Sequence, residues 1–102
     1  MAQFMVLHSY KETPAGFWQV FGAEALTLAR AMAAGQTPAR CLRSWSPYLH
    51  GRSDLLFCLW EAEGPEDILA TLGDTTKYLT SDILEVDEIN WAEMAQPALE
   101  PA

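Results

Sequence analysis

The run LLFCLWEAE, from Leu55 to Glu63, constrains this chain more than any other segment. Its residues are strand formers, and alternation sends Leu56, Cys58, Trp60 and Ala62 to one side, with Phe57, Leu59 and Glu61 on the other. Both sides are largely apolar, so the strand requires a sheet whose two faces are both covered. Directly after it, Gly64-Pro65-Glu66-Asp67 starts a helix, with proline early and two acids in the turn that the helix dipole favours. Ile68, Leu69 and Leu72 give that helix a short apolar stripe, and Gly73 closes it.

The rest of the chain arranges itself around this unit. QFMVLHSY, from Gln3 to Tyr10, reads as a first strand. Thr13-Pro14 supplies an N-cap and a first helical position. Phe17, Phe21, Ala25, Leu28 and Met32 then recur at helical spacing until Gly35. After Thr37-Pro38, the segment ARCLRSWSPYL predicts a second strand to about Ser46, which Pro47 ends or places at an edge. The polar turn His50 to Asp54 joins it to Leu55 as a hairpin. DTTKYLTSD reads as a loop, and DILEVDEINW as a fourth strand.

Strand, helix, strand, strand, helix, strand is the split βαβ order of an α+β ferredoxin-like fold, with a four-stranded antiparallel sheet and both helices on one face. The expected organisation is one domain over residues 1–91 and a flexible tail over 92–102. Helices on one face leave the apolar second face of the sheet open. A second copy of the chain covering that face is the simplest remedy, and a chain of 102 residues holds only a modest core by itself.

Composition narrows the partners. Fourteen acidic residues against six basic ones give a formal charge of −8, which opposes nucleic acid and anionic membranes. Arg40, Arg43 and Arg52 are the nearest approach to a basic cluster. The start of the chain has neither a basic leader nor a long apolar stretch, so the expected compartment is the cytoplasm. Cys41 and Cys58 fall within strands without a CxxC spacing and read as small, reduced, buried hydrophobes. No GxGxxG, P-loop, GxSxG, HExxH or EF-hand pattern occurs.

The segments LFCLWEAEGPEDILATL and DILEVDEI resemble the third strand, second helix and fourth strand of the small nickel-responsive ferredoxin-like proteins, and QFMVLHSY is compatible with their first strand. Those proteins belong to the dimeric α/β-barrel group, whose domains press their open sheet faces together. The resemblance implies a homodimer with a cleft between the subunits, and a divalent metal such as nickel as a possible cofactor. The same group includes haem-handling proteins, cofactor-independent monooxygenases and chlorite dismutases, so it implies architecture more than activity.

Residue chemistry suggests candidates for that cleft. If Val6 faces it, so does His8, with Glu61 and Glu85 on the same face; a histidine among carboxylates suits a divalent metal or a general base. Arg43 and Trp45 share a face by alternation and suit clamping and stacking on a small anionic or aromatic ligand. His50 reads as a surface turn residue. The expected ligand-binding set is therefore His8, Arg43, Trp45, Glu61 and Glu85, with His8 and Glu61 as metal ligands. Three readings follow: a homodimeric module binding a small ligand or metal ion; a cofactor-independent monooxygenase or isomerase with His8 as base and Arg43 as the anion-stabilising group; and a scaffold whose cleft fills with side chains.

Overall fold

The structure is a computed structural model that describes residues 1–11 and 14–96. Thr13, the expected helix cap, and the part of the expected tail beyond Gln96 lie outside the described residues. The chain runs β1 (Ala2–Tyr10), α1 (Pro14–Ala33), β2 (Arg40–Trp45), β3 (Leu55–Ala62), α2 (Pro65–Leu72), β4 (Leu79–Val86) and α3 (Trp91–Ala95), with short 3-10 turns at Tyr48–His50 and Gly73–Lys77. The four strands form one antiparallel sheet in the order β2-β3-β1-β4. This is the α+β, ferredoxin-like arrangement, with β1 and β3 at the centre.

Alternation along the two central strands decides where the core lies. Phe4 and Val6 of β1 join Leu56, Cys58, Trp60 and Ala62 of β3 in one buried cluster, capped by Ile68 and Leu72 of α2. Phe17 and Phe21 of α1 form a second cluster with Leu79. Tyr10 packs against both. Both helices therefore cover one side of the sheet, and Met5, Leu7, Phe57 and Leu59 point to the other, where they are half-buried.

Helix α1 ends in a Schellman motif: the Gly35 amide donates to the Met32 carbonyl at 3.1 Å and the Gln36 amide to the Ala31 carbonyl at 2.9 Å. Gly35 takes the left-handed conformation that this closure needs, with φ 71°.

Two boundaries differ from expectation. Strand β4 begins at Leu79 rather than Asp82, because the Leu79 side chain is an anchor of the Phe17–Phe21 cluster. It ends at Val86, short of Trp91. The start of the expected flexible tail is instead helical: the Asn90 side chain accepts the Glu93 amide at 3.1 Å and caps α3. Ile89, Trp91 and Met94 in this segment are exposed, and the molecule measures 59 × 35 × 21 Å.

Gly35→Ala should lower stability by about 1 kcal/mol in urea unfolding, from backbone strain alone, since an added Cβ meets no atom within 4 Å.

Candidate functional site

The pairing register determines what gathers beneath the helices. Val6 lies opposite Cys58, and His8 lies between Leu56 on β3 and Ser81 on β4. All these side chains point toward α1 and α2. Between α1 and the sheet lies a cavity of about 330 Å³. Phe21, Leu28 and Met32 roof it; His8, Cys58 and Trp60 form its floor. Thr71 and Leu72 from α2 close one wall, and the carboxylates of Glu24 and Asp74 also line it.

Within this apolar space the polar groups are few. His8 is 1% exposed, and its Nδ1 is 2.9 Å from Ser81 Oγ. Burial lowers the imidazole pKa below its ordinary value, partly offset by a hydrogen bond to the Thr80 backbone, so the ring is neutral near pH 7. The Trp60 indole Nε1 is buried and, among the described residues, has no hydrogen-bond partner of acceptable geometry. It lies near enough to Cys58 to bias that thiol toward ionisation. A buried donor left in this state costs about 1–3 kcal/mol.

A third polar group sits on the β2–β3 wall. Ser44 Oγ is 3.1 Å from Cys58 Sγ and 3.5 Å from Cys41 Sγ. Both cysteines are free thiols, Cys58 buried and Cys41 half-buried. Cys41 is the more acidic of the two: a hydrogen bond from Cys58, aided by the Ser44 hydroxyl, pulls its pKa below the ordinary thiol range against its burial. The same bond, together with burial, pushes Cys58 up.

The structure divides the residues that sequence patterning assembled. His8 is on the helix side, whereas Glu61 is on the open side opposite Gln3. The expected His8–Glu61 metal pair is thus separated by the sheet. Glu61 instead pairs with Arg40, its cross-strand neighbour, rather than with Arg43. Glu85 lies opposite Phe4, on the same side of the sheet as His8 as expected, but four residues along β4 from Ser81 and exposed. Arg43 and Trp45 do share a face, the open one, opposite Leu59 and Phe57. Arg43 borders a shallow hollow there with Met5, Leu59, Asp87 and Glu88. Arg52 is engaged at 2.9 Å by Asp54, so the three arginines do not form one anion site. His50 is an exposed turn residue.

Among the described residues, no three histidine, cysteine, aspartate or glutamate side chains converge as a metal would require. The residues present do not fit a resident nickel ion. A base at His8 acting with Arg43 is likewise precluded, because the two occupy opposite faces. Comparison with family models, curated proteins and solved structures gave no match.

The sequence signal for the cavity lay in two places: the Phe17-to-Met32 stripe and the Cys58–Trp60 side of β3. Reading them as facing one another would have located His8 beneath the helix. Ser44 carried no such signal.

Stability should fall as pH drops through the ordinary histidine value of 6.5, because the unfolded chain takes up a proton that buried His8 refuses. Between about pH 7.5 and 5.5, His8→Gln should flatten the stability–pH slope by up to about 1.4 kcal/mol per unit. Urea unfolding of both proteins across this range checks it; identical slopes would disprove it. The cavity carboxylates Glu24 and Asp74 are common to both proteins and cancel.

Proposed function

We propose that this protein is a cytoplasmic, homodimeric binding module that holds a small, mainly apolar molecule in the cavity beneath α1. The observation carrying this reading is that largely apolar cavity of about 330 Å³, with Trp60 and the neutral His8 in its floor. Small-molecule sites are concave, mostly apolar and supplied with few convergent polar groups, and about 300 Å³ is the lower end of their usual size. A ligand with a ring or short chain would fill the space. The neutral His8 adds polarity without charge, which disfavours carboxylate or phosphate ligands. The seat is therefore inside each subunit rather than in a cleft between two.

Dimerisation rests on separate grounds. The open face presents Met5, Leu7, Phe57 and Leu59, flanked by the exposed Trp45 and Leu84. Contiguous apolar surface of this kind is usually covered. A second copy meeting it face to face removes both surfaces from water at once.

Acetophenone is a suitable probe, having one ring and one carbonyl. Calorimetry should show saturable binding at one site per chain, with a shift of the Trp60 indole proton resonance. Ala25→Phe, which fills the cavity, should abolish binding. If acetophenone and a panel of phenols and short aldehydes all leave the Trp60 resonance unmoved, the reading is wrong.

Leu59→Glu should convert dimers to monomers or aggregates in sedimentation velocity. A wild type that sediments as a monomer at micromolar concentration would remove the dimer.

A further inference from the structure

The thiols on the cavity wall are placed for chemistry that a packing role does not need. In a regular strand, residues three apart point to opposite faces. Cys41 and Ser44 nevertheless share the helix side, because the β2–β3 register slips between Cys41 and Arg43. Cys41 faces Trp60 and Ser44 faces Cys58, so β2 uses one more residue than β3 over this stretch. The bulge at Leu42 turns Cys41 toward Cys58 and sets the Ser44 hydroxyl between the two sulfurs, at 3.5 and 3.1 Å. Cys41 remains half-accessible while Cys58 is 5% exposed.

We propose that Cys41 and Cys58 form a peroxide-responsive thiol pair that closes to a reversible disulfide on the wall of the cavity. Cys41 is the attacking group, being the more accessible sulfur, with its thiol on the Arg43 carbonyl at 3.6 Å and the Ser44 hydroxyl 3.5 Å away. Its thiolate attacks one oxygen of hydrogen peroxide; an S–O bond forms, the O–O bond breaks, and the departing hydroxide takes a proton to become water. Cys41 is then a sulfenic acid. Cys58 attacks the Cys41 sulfur; the S–S bond forms, the S–O bond breaks, and the leaving hydroxide takes the Cys58 proton, which Ser44 is placed to relay. Two thiols are oxidised and one peroxide is reduced to two waters. A dithiol reductant reverses the change by exchange.

The two sulfurs must draw together, which needs local adjustment of the diagonal geometry between the strands. The bulge supplies a place for it, since Leu42 lies outside the regular ladder. Cys41, Ser44 and Cys58 all line the cavity, so closure reshapes one of its walls. The proposal does not depend on what the cavity binds.

The test is thiol counting on the intact chain. Reduced protein, denatured and treated with a maleimide, should take two labels. After stoichiometric hydrogen peroxide at neutral pH it should take none, weigh less by two hydrogens, remain a single chain on non-reducing electrophoresis, and regain both labels with dithiothreitol. A peptide map should contain the Cys41–Cys58 crosslink. Cys58→Ser should stop at a sulfenic acid on Cys41, trapped by dimedone; Ser44→Ala should slow closure several-fold. Retention of both labels under excess peroxide, or disulfides only between chains, would overturn the proposal. So would equal peroxide consumption by Cys41→Ser and wild type. Should a variant fold poorly, the wild-type peptide map decides by itself.

Discussion

The register between β1 and β3 is the constraint on which the rest of this structure depends. With Val6 opposite Cys58 and His8 opposite Leu56, every second residue of both central strands points to the helices. A slip of one residue along either strand would exchange the faces, putting Met5 or Leu59 in the core and Val6 or Cys58 outside. Each strand is apolar on both sides, so hydrophobicity by itself resists such a slip only weakly. Shape does more: Trp60 and Phe4 pair beneath α2 with small Ala2 and Ala62 beside them. His8 adds a polar condition, since Ser81 meets it only when β1 and β4 are also in this register.

Much of the architecture was legible because it is local. The hairpin of β2 and β3, the proline-started α2 and the glycine-ended α1 each carry their signals in a few consecutive residues. The split βαβ order then leaves few sheet topologies to consider. The face of His8 was not legible in this way. Alternation sorts QFMVLHSY into two sets but does not say which set the helices cover, and both sets contain large apolar residues. Glu61 and His8 were joined on one face only by assuming a register, and the actual pairing of Gln3 with Glu61 puts the carboxylate on the other side. The Ser44 position was hidden for a different reason: a bulge has no reliable sequence mark, and it breaks the alternation on which the reading relied.

The two faces of the sheet therefore have different chemistry. On the open side, Arg40 holds Glu61 at the margin, and the apolar residues form a surface fit for protein contact. On the helix side, the polar groups are interior and incompletely matched. The Trp60 N–H has no well-aligned partner among the described residues, the His8 ring is held neutral by burial, and one serine serves two thiols. Unmatched buried polar groups tend to mark where a structure serves something besides its own stability.

The bulge at Leu42 also bears on how this chain tolerates changes in length. Arg40 and Arg43 both point to the open side, and Cys41 and Ser44 both to the helix side, only because one residue is inserted between two otherwise regular stretches. Losing one residue from β2 would let the strand pair smoothly with β3 and would leave composition nearly unchanged. It would nonetheless rotate half the strand by a half-turn, sending either the ion pair with Glu61 or the serine between the sulfurs to the wrong side. The spacing from Arg40 to Trp45 is thus fixed from two directions at once, although β2 is an edge strand whose end runs straight into a turn. Insertions are better absorbed beyond Pro47, where the backbone has already left the ladder.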